Sequence, residues 1–138
     1  MVSSAFSTWW DWSPFESLLA MWDTADFAST LARSVPTIPS IVWRHRRDLV
    51  RWAGWIAATG AGAIAVDLGT LRSAPHWSWA MASIAFLAEQ IASLTDLPRL
   101  VVHGPSTVAR LTEVGYAWPG PLTFASQRPW LLAGNGQR

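Results

Sequence analysis

The side chains with which this chain could do chemistry are few and widely scattered. His45, His76 and His103 stand far apart and share no repeated metal-ligand spacing. Cysteine is absent, which removes thiolate metal sites, a cysteine nucleophile and any disulfide framework. Asp67 and Glu89 are each the single charge in a long apolar stretch. His76, ahead of the second stretch, could ligate a haem or pigment, but an interfacial histidine is more commonly only solvated, so neither cofactor nor metal is implied. The run at 100–107, Leu-Val-Val-His-Gly-Pro-Ser-Thr, could turn a strand into a phosphate-binding helix, yet it lacks the glycine pattern and the lysine of such a loop. With no nucleophile, base and metal grouped together, the sequence reads as noncatalytic.

The elements that would carry the two acids are apolar segments at residues 49–71 and 75–94. Between Arg51 and Arg72 lie 20 residues with one charge; as a helix rising about 1.5 Å per residue they would cover roughly 30 Å, one hydrocarbon core. Residues 75–94 match that span. Arg44, Arg46, Arg47 and Arg51 precede the first segment, and Arg99, Arg110 and Arg128 follow the second, whereas Arg72 alone marks the connection. The positive-inside rule then places both termini in the cytoplasm. The basic run at 44–47 could also touch nucleic-acid phosphates, but beside an apolar segment it reads better as a topology determinant, so no nucleic-acid partner is expected. Trp52 and Trp55 open the first segment and Trp77 and Trp79 the second, where indoles would meet headgroup layers.

The fold class expected is therefore all-α, a small integral membrane protein with a two-helix transmembrane hairpin. An N-terminal amphipathic helix precedes the hairpin, and an irregular Pro/Gly-rich tail follows it. Small residues would let the hairpin helices approach closely: Gly54, Ala58 and Gly62 on the first, Ala85, Ala88 and Ala92 on the second. In that arrangement Asp67 and Glu89 become intramembrane acids lying near opposite ends of the hairpin, unable to pair with each other. The first segment has few strongly apolar aliphatics, so its insertion would be marginal without neighbouring helices. The same segments could alternatively form the core of a helical bundle in water.

Three regions follow in chain order: 1–39, 40–97 and 98–138. The first carries Trp9, Trp10 and Trp12, then a helix start in which Ser13 caps, Pro14 occupies the first turn and Glu16 completes a capping box. Phe15, Leu18, Leu19 and Trp22 fall at i, i+3, i+4 and i+7 on one stripe, and a kink or a restart of the helix is expected near Thr24. Four acids and no base among the first 32 residues argue against a cleavable signal and against binding to anionic lipid, and favour docking on a protein. Ser40 is placed to cap a helix running through Trp43 into the arginines. Ser106 or Thr107 caps a short helix ending at Gly115, and from Trp118 the chain is expected to be irregular.

Composition agrees with a membrane or a buried interface. Half the residues (51%) are hydrophobic and 14% are charged, against a usual charged fraction of about 25%, and the mean hydropathy is +0.20. The function this suggests is a noncatalytic accessory or structural subunit of a larger membrane complex, with other membrane subunits and the lipid bilayer as partners. A holin-like membrane-permeabilising protein of phage type is similar in size and topology. A helical interaction module whose apolar segments form its own core is the third class.

Overall fold

The computed structural model describes residues 13–71, 73–105 and 107–125. Over them the chain is a mixed α/β fold, not the all-α hairpin expected: α1 (Pro14–Leu31), α2 (Arg46–Thr59), β1 (Ala63–Asp67), α3 (Ala74–Ala92), β2 (Arg99–His103), α4 (Val108–Ala117) and β3 (Leu122–Ala125). Among the described residues no helix is long and apolar enough to cross a membrane. That finding corrects the transmembrane hairpin and, with it, the membrane location inferred for the chain.

The first correction turns on Gly60. Helix α2 stops at Thr59, and Gly60 takes a left-handed φ of 66° with its N–H donating to the Ile56 carbonyl at 3.0 Å. A glycine adopts that conformation without strain and ends the helix. Beyond it the chain extends, and Ile64 and Val66 alternate with Ala63, Ala65 and Asp67 in the period of a strand. The apolar run at 49–71 is thus helix, stop and strand in succession. The second segment is a helix, α3, close to the expected bounds. It is long enough to span a bilayer, but His76, Ser78, Ser83, Glu89 and Gln90 dilute its apolar content.

Three parallel strands form one sheet in sequential order, β1-β2-β3, with Ile64 opposite Leu100 and Leu100 opposite Leu122. Ser40 bridges Ala65 on the free side of β1, where the Ile41 N–H donates to the Ala65 carbonyl at 2.8 Å and the Ala65 N–H to the Pro39 carbonyl at 2.9 Å. The helix expected from Ser40 therefore begins only at Arg46. Its first turn is closed by Asp48, whose Oδ2 accepts the N–H groups of Arg44 and His45 at 3.0 and 2.8 Å.

Parallel neighbours need crossover connections, and right-handed crossovers between sequential strands put their helices on one face. Accordingly the two crossover helices, α3 and α4, lie side by side, and α2, which precedes β1, packs on α3. Ile64, Val66, Leu100 and Val102 face them, none more than 1% exposed, in a core shared with Leu49, Ile56, Ile84 and Leu87. Ala63, Asp67, Arg99, Val101 and His103 alternate onto the opposite face. The region expected to be irregular holds Trp118 in this core at 1% exposure, its indole N–H donating to the Pro121 carbonyl at 3.2 Å, and then β3. Thr107 caps α4 as expected; on that helix Val114 is fully covered, whereas Val108 is 80% exposed.

Helix α1 begins as the sequence dictates. Ser13 donates its N–H to Glu16 Oε2 at 2.7 Å and its Oγ accepts the Glu16 N–H at 3.3 Å. The Ser13 backbone N–H, and after it the Ser13 side chain, holds the Glu16 carboxyl below the usual glutamate range. The helix does not restart at Thr24: the Thr24 hydroxyl donates back to the Ala20 carbonyl at 2.7 Å and α1 runs unbroken to Leu31.

Candidate functional site

The residues singled out by sequence are parted by the fold into structural ties and one shared groove. Trp52 is buried and its indole N–H donates to the Val42 carbonyl at 2.7 Å, pinning the segment before α2. Trp77 is buried as well; it donates to Glu113 Oε2 at 2.7 Å and carries the Arg110 guanidinium 4.5 Å above its ring, which joins α3 to α4. Trp79 stacks on Trp43 at 5.7 Å, and Arg46 sits 5.1 Å over Phe86. These contacts take up the indoles expected at headgroup layers. Arg44 is half-buried beside the first turn of α2 and Arg47 is exposed.

The small-residue stripes do not act as the close-packing seams expected of a hairpin. Gly54 and Ala58 lie on the exposed side of α2, and Gly62 lies beyond the helix altogether. On α3, Ala88 is buried, Ala85 half-buried and Ala92 exposed. Neither acid is intramembrane: Asp67 ends β1 and Glu89 is exposed on α3. Trp9, Trp10 and Trp12 lie outside the described residues.

What the fold does bring together is Trp22, Arg51, Trp52 and Trp55. They line a groove of about 300 Å³ between α1 and α2, with Leu18, Met21 and Ala25 completing its wall. Trp52 meets Trp55 edge to face, ring centroids 5.5 Å apart and planes at 89°, a favoured aromatic geometry. Arg51 is the single charged residue of the lining, its side chain 45% exposed, with Nη1 3.4 Å from Asp48 Oδ1.

The groove has an unusual wall. The buried side of α1 is Ser17, Ala20, Met21, Thr24 and Ala28, whereas Phe15 (66% exposed), Leu19 (43%) and Trp22 (68%) face outward. Of the predicted apolar stripe, only Leu18 turns partly inward. Glu16, Asp23 and Asp26 are exposed on the same helix, which has no basic residue.

A second cluster escaped the sequence reading. The parallel register sets Asp67 opposite His103 at the carboxyl ends of β1 and β2. His103 Nδ1 lies 3.2 Å from Asp67 Oδ1, and the same oxygen accepts the Gly69 N–H at 2.8 Å. Gly104, at φ 117°, passes so close to Gly69 that a Cβ there would fall on the Gly69 backbone. The carboxyl ends of parallel strands are where α/β folds place ligands, but the Asp67 side chain is 62% exposed and that of His103 36%, so the pair stands in water and not in an enclosed site. The available signal was two short β-rich runs, each closing on a titratable residue followed within two positions by glycine. Among the described residues no group of three or more His, Asp or Glu could hold a metal ion.

No protein-family model matches the chain, and no match was found among curated proteins or among solved structures.

Proposed function

We propose that this protein is a noncatalytic docking subunit, an α/β scaffold that presents α1 to another protein. The observation that carries this reading is the exposure of Phe15, Leu19 and Trp22 at i, i+4 and i+7 along one face of a capped helix. That spacing is the pattern by which an amphipathic helix enters an apolar groove of a partner, and exposed aromatics so aligned are costly unless covered. The exposed acids of α1 select the partner's chemistry: an apolar groove rimmed by lysine or arginine. The open, solvated setting of His103 and Asp67 supports a binding role over a catalytic one.

The test is site-specific photocrosslinking of the full chain in its source cells. A benzophenone amino acid replaces Phe15 or Leu19, with Tyr116, 86% exposed on α4, as the control position. A discrete adduct from positions 15 and 19 but not 116 is expected. An adduct of twice the chain's mass makes the partner a second copy. Absence of any adduct, or an equal one from position 116, overturns the proposal.

A further inference from the structure

The outward face of α1 has a counterpart on α2. On the side of α2 turned away from the core, Arg47, Arg51, Gly54 and Ala58 are all exposed and follow one another at i, i+4, i+7 and i+11. On α1 the exposed Phe15, Leu19, Trp22 and Asp26 have the same spacing. Residues so spaced form one ridge along a helix. Laid antiparallel, the two ridges come into step: Asp26 falls opposite Arg47, Trp22 opposite the stem of Arg51, Leu19 opposite Gly54 and Phe15 opposite Ala58. A parallel arrangement would instead set Phe15 against Arg47 and Asp26 against Ala58.

The two faces also complement each other in charge and in size. Helix α1 exposes Glu16, Asp23 and Asp26 and carries no base. Helix α2 exposes Arg46, Arg47 and Arg51, and its single acid, Asp48, is 1% exposed. Large side chains on α1 meet small ones on α2, where a Cβ added at Gly54 would touch nothing within 4 Å. The approach at that point is by the Leu19 side chain and not by a backbone, and a leucine against an alanine is ordinary at helix separations of about 8–10 Å, so a methyl group at 54 is accommodated. The α2 of the same chain does not cover the ridge, since Phe15 and Trp22 are 66% and 68% exposed.

We propose that this ridge of α1 docks antiparallel on the α2 ridge of a second copy of the chain. The proposal rests on the reading of α1 as a docking helix and names its partner. Because α1 and α2 flank one groove, each copy can offer both ridges at once, as a two-fold interface requires. The faces are small, so the dimer belongs among weak, reversible associations.

The experiment is sedimentation velocity of the purified full chain at rising concentration, up to about 1 mM. A monomer that converts to a dimer is expected, less completely as salt is raised. Asp26→Arg and Arg47→Asp change exposed residues, and each sets like charges together at both contacts; either should weaken the dimer by at least about tenfold. An equimolar mixture of the two variants should regain it, because each contact again joins an arginine to an aspartate. A wild-type chain that stays monomeric overturns the proposal. So does a dimer that either variant leaves intact, or a mixture that associates no better than the variants alone. A monomeric chain whose positions 15 and 19 still crosslink to another protein in cells loses the second copy but keeps α1 as a docking helix; absence of both adducts removes the two readings together.

Discussion

Gly54→Ala separates the observed fold from a close-packed helical hairpin by the sign of its effect. In a hairpin seam the glycine admits a neighbouring backbone, and a methyl group there pushes the helices apart. Here an added Cβ at Gly54 meets no atom within 4 Å, and the residue lies in the interior of α2 with no positive φ. The substitution then acts through the helix alone. Alanine is favoured over glycine in a helix interior by about 0.8–1 kcal/mol, largely because the unfolded chain loses less entropy. Against the melting entropy of a domain this size, a gain of about 0.5–1 kcal/mol raises Tm by roughly 2–4 °C. Thermal and urea unfolding followed by far-UV circular dichroism would measure both, and an unchanged m-value assigns the gain to stability and not to altered compactness. A fall in Tm would mean that another backbone occupies this face and would refute the packing described.

Three further substitutions probe other joints of the structure. Gly104→Ala combines a strained φ with a Cβ on the Gly69 backbone and should cost at least about 3 kcal/mol; a loss of less than about 1 kcal/mol in the unfolding free energy from urea titration would mean that the two loops do not cross as described. Trp52→Phe removes the donor to the Val42 carbonyl and leaves a small cavity, for about 2–3 kcal/mol together; amide exchange at Ile41 and Ala65 should quicken more than at Val102, and equal acceleration would contradict the pinning role. Glu16 has a lowered folded pKa through its bonds with Ser13. Its contribution is present above the ordinary glutamate value of about 4.3 and is lost as pH falls through the lower folded value. Wild type and Glu16→Gln should therefore differ in Tm near neutrality and converge as the pH falls through the lowered folded value of Glu16, and a gap that does not narrow as the medium is acidified would refute the capping role.

Local signals were legible where a few adjacent residues decide the outcome. Ser13, Pro14 and Glu16 announced the start of α1, and Thr107 that of α4, because caps are built from residues three positions apart. The break at Gly60 was equally local, yet averaging apolarity over twenty residues concealed it. A single helix over 49–71 hides the strand period of Ile64 and Val66 and puts Gly62 on a stripe to which it does not belong. The His103–Asp67 pair was beyond reach for a different reason: it rests on the register of two strands separated by α3, and a register is fixed by the whole sheet. Even so, 100–107 held the strand-to-helix turn. That run lacks phosphate-loop glycines, but a strand and helix need no phosphate to form.

Helix α1 shows why an apolar stripe does not by itself say which way a helix faces. Phe15, Leu19 and Trp22 form the stripe that periodicity would turn inward, yet the buried side is drawn chiefly from small and hydroxylated residues, with Met21 alone reaching the main core. The inward side makes chemical sense locally, since Thr24 satisfies its own hydroxyl on the Ala20 carbonyl and alanines permit close approach. Turning the stripe inward would place two bulky aromatics against α2, where Trp52 and Trp55 already occupy the wall. The aromatic surplus therefore faces out and the groove behind it stays open: there is too much aromatic volume for a single packed layer, and Phe15, Leu19 and Trp22 are left on the surface proposed to dock on a protein.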